Sequence, residues 1–376
     1  MTLEIMPLPG LNNNISPDLI FSPLVRHKYL DAYRKSCTIP LNRILYINMN
    51  ILPLKSIKDR HLSAQVRAVY FSHKMTSFFT NKKILKLIPD GVTVERLFQA
   101  SSIPDKLRPG FFVLADKDSI AGISYFEKLP FESRIFKKNM GRLVVYIPVE
   151  ADMDIKYIKK LIHAAEKTAG AAGFDHLSVK TDMQDKKLIN SLELGGYVFV
   201  SGLTTYLYIK NRTNFAKWKF LYNTRPAEQK DRPALIDIAA GAFTDTRFYY
   251  DPDLDDKSSS RLYKEWIKNC FDKDWAESIF VAESAKKEVV GFITYKVDKE
   301  LRKAGILKGG SGLSACKPNA SGAYTSLLLA AKNDGLRNNL DFVEFTAQSG
   351  NLEILRIWNK FGLDPGRIEL VFHKSI

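Results

Sequence analysis

Hydrophobic and polar positions in the second half of the chain predict short strands that alternate with helices. Two apolar runs, residues 281–283 and 289–297, flank a polar Lys286-Lys287 turn and predict a β-hairpin. Three further strands are predicted at residues 312–316, 342–346 and 368–373, with helices at 322–336 and 352–361 between them. This order predicts an α/β unit in which helices flank a mixed, mostly antiparallel sheet.

The same pattern occurs twice along the chain, which indicates an internal repeat. Residues 164–197 align with residues 330–363 at a constant offset of 166, and residues 112–125 align with residues 280–295 at nearly the same offset. We therefore predict four segments: an N-terminal arm or adapter at 1–60, a degenerate unit at 61–211, a linker at 212–224 and a complete unit at 225–376.

The composition is that of a globular protein with two domains. The chain has 376 residues, of which 45% are hydrophobic and 26% charged, so each half can bury its own core. No apolar run approaches the roughly 20 residues that cross a bilayer, and no signal peptide is expected. Cys37, Cys270 and Cys316 form neither a pair pattern nor a C-x-x-C motif, so we expect a reduced, cytoplasmic protein without a metal site.

The net charge of +15 is concentrated in the N-terminal part of the chain. The first 224 residues contain 33 Lys and Arg against 19 Asp and Glu. Two interpretations stay open: a solvated basic surface, or attraction to anionic lipids at the inner face of the membrane. No basic-aromatic motif of a nucleic-acid module is present, so no specific nucleic-acid partner is expected.

Residues 313–328 predict an anion site where a strand leads into a helix. They read Leu-Ser-Ala-Cys-Lys-Pro-Asn-Ala-Ser-Gly-Ala-Tyr-Thr-Ser-Leu-Leu, a strand that ends near Pro318 and a helix that begins near Gly322. The first backbone N–H groups of a helix have no partner inside the helix, and the helix dipole favours a negative charge at that end.

This segment resembles motif A of the GNAT acyltransferases, in which a strand ending in V-x-P leads into a Q/R-x-x-G-x-G/A loop. Downstream, residues 351–363 are similar to the family's N-x-x-A-x-x-L-Y-x-K-x-G-F. The resemblance implies tandem GNAT-like units, acetyl-coenzyme A as the acyl donor, and backbone amides that hold its pyrophosphate. The implied cofactor-binding residues are Ala315, Cys316, Ser321, Gly322, Ala323, Tyr324, Thr325 and Asn351.

The loop departs from the family pattern at three positions. Ser321 stands for the usual Arg, while Tyr324 and Ser326 stand for further glycines, and Tyr324 adds bulk where a phosphate approaches closely. In the first unit, residues 151–160 contain no glycine at all. We therefore expect the second unit alone to bind the cofactor, and the first unit to serve structure or docking.

A second resemblance concerns the acceptor. Residues 242–252 and 262–267 are similar to the F-x-D-S-R-F … L-Y-x-x-W-I signature of the TDP-fucosamine acetyltransferase group, which acetylates nucleotide-linked amino sugars. Residues 129–136 resemble the start of that group's incomplete first unit, so the similarity spans roughly residues 110–376. The implied substrate-binding residues are Arg247, Phe248, Asp251, Tyr263 and Trp266.

The implied reaction needs a neutral amine, a polarised thioester carbonyl and a proton for the leaving thiolate. Backbone N–H groups at residues 315–316 would polarise the carbonyl. Trp358 stands where the family often has an acidic Tyr, and its indole N–H can donate a hydrogen bond but is no practical acid. Water, Tyr324 and Ser349 stay open as the proton donor to the thiolate. Glu344 and His373 are candidates for the general base, and structural roles stay open for Trp358, Glu344 and His373.

The leading hypothesis is an acetyl-coenzyme-A-dependent N-acetyltransferase that acts on an amino sugar, expected to be nucleotide-linked, in surface-polysaccharide biosynthesis. Two alternatives stay open: a non-catalytic tandem GNAT-like binding or scaffold protein, and a GNAT enzyme that acts on a protein amine. The altered loop favours the scaffold, whereas the segment from Arg247 to Trp266 favours the enzyme. Whether the chain forms a homodimer is left open.

Overall fold

The computed structural model describes residues 49–58, 110–115, 120–148, 153–210, 218–273, 275–298 and 306–376, with a few single residues between 63 and 103 and Arg302. These residues form one twelve-stranded sheet. Its strands are β1 (Asn50–Pro53), β2 (Phe112–Ala115), β3 (Ile120–Lys128), β4 (Met140–Tyr146), β5 (His176–Asp182), β6 (Val198–Ile209), β7 (Asn223–Pro226), β8 (Ser278–Glu283), β9 (Val289–Val297), β10 (Lys308–Cys316), β11 (Phe342–Gln348) and β12 (Asp364–Ser375).

Helices lie on both faces of this sheet. They are α1 (Pro130–Phe136), α2 (Ile155–Ala171), α3 (Lys186–Leu194), α4 (Arg232–Ala242), α5 (Asp256–Asp272), α6 (Ala323–Arg337) and α7 (Leu352–Lys360). Short polar side chains begin several of them, because a carboxylate or amide oxygen accepts a backbone N–H that the helix itself cannot pair. The capping residues are Asp154 for α2, Asp185 for α3, Asp255 for α5 and Asn351 for α7.

The two units exchange their last strands. The strand order is β1-β2-β3-β4-β5-β12-β6-β11-β10-β9-β8-β7. β12, from the second unit, pairs antiparallel with β5 of the first, and β6, from the first unit, pairs antiparallel with β11 of the second. β12 and β6 also pair with each other. Each unit is therefore completed by a strand of the other, and separating them would break ladder hydrogen bonds.

Side-chain alternation along the strands divides the helices between the two faces. On one face, α2 and α3 pack on β5 through residues such as Leu161, Leu177 and Leu192. On the same face, α6 and α7 pack on β11 through residues such as Leu327 and Phe345. On the opposite face, α1, α4 and α5 share a core with β8, β9 and β10.

The predicted elements of the second unit are all present. The hairpin is formed by β8 and β9, and the two predicted helices are α6 and α7. Several strands extend beyond their predicted ends: β10 begins at Lys308 and β12 runs to Ser375. These extensions are glycine-rich or polar and partly exposed, so ladder pairing holds them in the sheet without a hydrophobic signal.

The structure describes only the ends of the predicted arm and linker. Residues 1–48 of the predicted arm lie outside the described residues, and the arm's end forms β1, which pairs with β2. The end of the predicted linker begins β7, which pairs with β8. Cys270 and Cys316 are free thiols, and Cys37 lies outside the described residues. No helix in the described ranges is long and apolar enough to cross a membrane.

Candidate functional site

The second unit contains a cleft between two parallel strands. β10 and β11 pair over only three positions, residues 308–310 with residues 342–344. Beyond Gly310, β10 remains paired with β9 as far as Cys316, but it has no described ladder partner on the β11 side. A bulge between Ser311 and Ser314 bends the strand at this point. This edge of β10 therefore presents backbone groups that a ligand can pair with.

Gly322 forms the turn that leads from β10 into α6. Its φ of +82° lies in the left-handed region, which glycine adopts without steric cost. Two tight turns surround it: Ala320 donates its N–H to the carbonyl of Lys317, and Ala323 donates to the carbonyl of Ala320, both at 3.0 Å. The turn is short, so the N-terminus of α6 follows directly after the strand that borders the cleft. This is a suitable position for an anion.

The segment before β7 covers one side of this turn. The backbone N–H groups of Leu221 and Tyr222 donate to the Oγ of Ser326 at 2.9 and 3.1 Å. The Leu221 side chain lies against Gly322, since a Cβ at Gly322 would come within 2.6 Å of its Cδ1. Leu221 is 69% exposed, so its side chain has room to move away. Ser326 thus holds residues 221–222 against α6 through two hydrogen bonds.

Tyr324 and Trp358 form a buried pair beneath the turn. The Nε1 of Trp358 donates to the Oη of Tyr324 at 2.8 Å, and the two residues are 2% and 9% exposed in that order. Burial raises the pKa of the Tyr324 phenol, although the hydrogen bonds with Trp358 and Ser314 act in the opposite direction. The expectation that Tyr324 adds bulk at the phosphate position is wrong, because its ring packs into the core under α6.

The other predicted cofactor-binding residues lie around the same turn, with one exception. Burial raises the pKa of the Cys316 thiol to about 12, so this thiol is neutral at physiological pH. Asn351 lies apart, after β11, where its Oδ1 accepts the N–H of Ile354 at 3.2 Å and caps α7. The residues at the turn are Ala315 and Cys316 at the end of β10, Ser321 and Gly322 before α6, and Ala323, Tyr324 and Thr325 in its first turn.

The corresponding helix start of the first unit has a different charge. α2 begins at Ile155, and the Oδ1 of Asp154 accepts the N–H of Lys156 at 2.9 Å. A carboxylate thus already lies at the N-terminus of α2, where it would repel a phosphate. β4 and β5 nevertheless part as β10 and β11 do, after their last paired residues Leu143 and Val179.

The α4–α5 connection, residues 243–255, carries the predicted acceptor residue Arg247. The Arg247 side chain is 14% exposed, and its Nη2 lies 3.7 Å from Glu132 of α1. Its guanidinium lies 4.5 Å from the ring centroid of Phe248. Its Nη1 is buried without a hydrogen-bond partner among the described residues. Burial lowers the pKa of Arg247, and the nearby Arg142 acts in the same direction.

The predicted aromatic residues of the acceptor segment pack beneath and beside this connection. Phe248 stacks on Phe136 of α1, with ring centroids 5.4 Å apart, and contacts Tyr263 edge to face. Burial raises the pKa of Tyr263 to about 12. Trp266 lies edge to face with Trp275 at 5.6 Å, further along α5. Phe248 and Tyr263 therefore support Arg247 from the core side.

Asp251 joins the connection to both exchanged units through two histidines. Its Oδ2 lies 2.7 Å from the Nε2 of His176 on β5 and 2.6 Å from the Nδ1 of His373 on β12, and all three side chains are at most 3% exposed. Burial raises the pKa of Asp251, but the two histidine hydrogen bonds outweigh it and hold the pKa below its usual range. Burial lowers the pKa of His373 to about 4. A neutral His373 that donates its Nδ1–H to the carboxylate fits this geometry.

This cluster was not predicted from the sequence. Asp251 was expected to bind substrate and His373 to be a base, and His176 carried no signal of its own. The three residues are a set that can ligate a metal. Both nitrogens lie at hydrogen-bond distance from a single carboxylate oxygen, so hydrogen bonds account for the arrangement. Sequence separations of 75 and 122 residues hid it from any spacing argument.

Glu344 lies at the closed end of the second cleft. It is opposite Gly310, the last paired position of β10 and β11. Its Oε2 accepts from the Nζ of Lys308 at 2.8 Å, and the two side chains are largely buried. Glu344 alternates with Val343 and Phe345, which pack under α6 and α7, so it faces the side of the sheet that carries α4 and α5.

Comparison with known proteins agrees with this architecture. No protein-family model matches the chain. The chain is 25% identical over 141 residues to dTDP-fucosamine acetyltransferase of Escherichia coli O6:H1, covering 35% of this chain and 60% of that protein. It is 20% identical over 191 residues to the spore coat polysaccharide biosynthesis protein SpsD of Bacillus subtilis, covering 51% and 63%. The chain thus spans about three fifths of the length of these curated relatives.

Among solved structures, a GCN5-related N-acetyltransferase from Sphaerobacter thermophilus aligns with a TM-score of 0.55 at 13% identity, covering 87% of this chain and 95% of that chain. At this identity the match shows the fold alone. The α/β fold predicted from the sequence is confirmed, and so is the resemblance to the TDP-fucosamine acetyltransferase group. The chain has the fold of the GNAT acetyltransferases and is similar in sequence to a dTDP-fucosamine acetyltransferase.

Proposed function

We propose that the chain is an acetyl-coenzyme-A-dependent N-acetyltransferase whose acceptor is a nucleotide-linked amino sugar. The observation that carries this proposal is the open edge of β10 beside the Gly322 turn. An open strand edge and a helix start offer backbone donors to a thioester arm and to a pyrophosphate. The similarity to dTDP-fucosamine acetyltransferase supports the acceptor class, and the similarity to SpsD supports a role in surface-polysaccharide biosynthesis.

The residues around the Gly322 turn fit the acyl donor, which supplies an acetyl group on a thioester. Backbone amides of residues 321, 322, 324 and 325 hold the pyrophosphate, and the amide of Cys316, which points away from β9, donates to the thioester carbonyl. Tyr324 leaves the turn accessible because its hydroxyl is bonded to Trp358 inside the core. Leu221 shifts aside as the ligand arrives.

Glu344 acts as the general base that accepts the proton of the attacking amine. It lies where β10 and β11 part and faces the side of the sheet that carries Arg247. Lys308 donates to its Oε2 and thereby orients the carboxylate, leaving Oε1 to accept from the amine.

Water protonates the leaving thiolate. Tyr324 is unsuited to this step because burial raises the pKa of its phenol, and its hydroxyl already accepts from Trp358. The indole N–H of Trp358 is no practical acid at neutral pH. Both residues hold the core under α6, and neither donates a proton in the reaction.

Calorimetric titration with coenzyme A and acetyl-coenzyme A tests the proposal. We expect one site per chain, because Asp154 places a carboxylate at the helix start of the first unit. Absence of binding to either ligand would contradict the proposal and favour the scaffold alternative. Two sites of similar affinity would contradict the assignment to the second unit.

A further inference from the structure

We propose that the two units jointly form a binding site for a phosphoryl anion, built from Arg142 of β4, Lys180 of β5 and Arg247 of the α4–α5 connection. These three residues are called the cationic cluster below. The site itself follows from the structure, and only the source of its ligand rests on the proposed function. That source is the diphosphate of the nucleotide-linked acceptor.

Arg142 and Lys180 lie on one face of the sheet, at the point where β4 and β5 part. Arg142 is paired in register with Ser178, and Lys180 lies two residues further along β5, so the three side chains share a face. The last paired position is Leu143 with Val179. Lys180 is therefore the first residue of β5 beyond the ladder, at the mouth of the first unit's cleft.

The clefts of the two units carry opposite charges at equivalent positions. In the second unit, Gly310 lies opposite Glu344, and Thr346 is the residue two positions later. In the first unit the same positions hold Arg142, Ser178 and Lys180. The second cleft thus contains a carboxylate suited to an amine, whereas the first contains two cations suited to an anion.

The cations of the cluster are incompletely neutralised. The Nη1 of Arg142 is 3.5 Å from Glu127, and its Nε is buried without a hydrogen-bond partner in the described residues. The Nη1 of Arg247 is likewise buried and unpaired there, with Glu132 3.7 Å from its Nη2. Lys180 makes no hydrogen bond or ion pair within the described part of the chain, although the electrostatic fields of Glu369 and Arg367 of β12 also reach it.

An anion would relieve this arrangement. Partly buried cations that are incompletely paired are costly, because part of their hydration is lost and is not fully replaced. Burial lowers the pKa of the Lys180 ammonium to about 8, and the guanidiniums of Arg247 and Arg142 act in the same direction. Guanidinium groups present planar pairs of N–H donors that match phosphate oxygens. Two such groups and an ammonium that converge from both units therefore select a phosphoryl group.

The anchoring of Asp251 keeps Arg247 over the first unit. Asp251 follows Arg247 by four residues and is hydrogen-bonded to His176 of β5, the strand that carries Lys180. The same connection begins near the end of β11, the strand that borders the second cleft. Gly350 follows β11, and a Cβ placed on it would lie 3.7 Å from the Oδ2 of Asp245 in the connection. One loop thus borders both the cationic cluster and the cleft proposed for acetyl transfer.

The test is calorimetric titration of the full chain with a nucleoside diphosphate and, separately, with inorganic pyrophosphate. Lys180→Met and Arg142→Met remove charges of the cluster, and Lys286→Met is a control in an exposed hairpin turn. Lys180 is partly buried, and its replacement by an apolar side chain removes no hydrogen bond or ion pair among the described residues, so Lys180→Met is expected to fold and to unfold at a higher temperature than the parent.

We expect each cluster variant to weaken binding at the cluster at least tenfold and Lys286→Met to leave it unchanged, while a second site at the Gly322 turn, proposed above for the pyrophosphate of coenzyme A, persists in all of them. Tighter binding of the nucleoside diphosphate than of pyrophosphate supports the acceptor as the source, and equal binding supports a site for free phosphate. Unchanged affinity in folded Lys180→Met, or no binding to the parent, would overturn the site. The proposed function fails separately, through absent coenzyme A binding, because this titration does not require it.

Discussion

The indole Nε1 of Trp358 donates a hydrogen bond to the phenol oxygen of Tyr324 at 2.8 Å inside the core of the second unit. The two residues are 34 positions apart, on α7 and α6, and they connect the helix that follows the cofactor turn to the helix that follows β11. Their role is therefore to fix these two helices against each other.

Trp358→Phe is expected to lower the free energy of unfolding by about 1–3 kcal/mol, because it leaves a buried hydroxyl without its donor. Turnover should stay within about tenfold of the parent, a barrier change near 1.4 kcal/mol. Urea unfolding and steady-state kinetics measure the two effects. The double variant with Tyr324→Phe should cost less than the sum of the single changes, since no polar group is then left unpaired. A thousandfold loss of turnover in stable Trp358→Phe would mean that the indole takes part in the chemistry.

Variants of Gly322 distinguish two roles of this glycine: adopting a positive φ, and letting the cofactor approach the backbone closely. Gly322→Asn should fold, because Asn tolerates the left-handed conformation, and should weaken coenzyme A binding by adding a side chain at the turn. Gly322→Val should also lower stability, since a β-branched residue is strained at a φ of +82° and its Cβ would contact Leu221. Calorimetry and thermal unfolding report both properties. Parent-like coenzyme A affinity in both variants would place the cofactor elsewhere.

Glu344→Gln is expected to lower kcat by about 100- to 10,000-fold, the range for loss of a general base, with coenzyme A affinity unchanged. Glu353→Gln on the exposed side of α7 is the matched control and should retain parent kinetics. Retained turnover in Glu344→Gln would show that Glu344 is not the general base and only pairs with Lys308.

Acidification should destabilise the protein through the His176–Asp251–His373 cluster. His373 has a pKa of about 4 in the folded chain, against about 6.5 when unfolded, so between these values the unfolded chain binds more protons. Stability is therefore full above pH 6.5 and falls as the pH drops toward 4, by at most about 1.4 kcal/mol per pH unit. The depressed pKa of Asp251 extends the loss to still lower pH.

Urea unfolding at pH 7, 6 and 5 measures this dependence. His373→Leu should flatten it, whereas His163→Leu should not, because His163 is exposed on α2 and its side chain is 80% accessible. An unchanged slope in His373→Leu would show that acid sensitivity arises elsewhere in the chain.

Sequence patterns predicted the elements of the fold but not which strands are neighbours. Period-two alternation assigns a residue to a face of the sheet, and it is identical whether β12 pairs inside its own unit or beside β5 of the other. The strand exchange was therefore invisible to periodicity. The turn at Gly322 was predictable because glycine has a specific conformational property there, and the structure gives it a positive φ.

Contacts between polar residues that are far apart in the chain could not be predicted from the sequence either. Tyr324 and Trp358 were both identified as candidates, but only the packing of α6 on α7 shows that they bond to each other. Arg247 was identified from its resemblance, whereas Arg142 and Lys180 resemble ordinary surface cations until the register places them on one face. Charged residues carry no periodic signal, so their convergence is a property of the fold.

Acetyl transfer to an amino sugar is proposed to take place in the cleft of the second unit. The most direct test measures coenzyme A release and product mass for the parent and Glu344→Gln, with nucleotide-linked amino sugars, free amino sugars and peptide amines as acceptors. We expect the parent to release coenzyme A with a nucleotide-linked amino sugar, the product to gain one acetyl group, and Glu344→Gln to be slower by at least 100-fold. Release with peptide amines alone, or no release with any amine despite coenzyme A binding, would contradict this proposal.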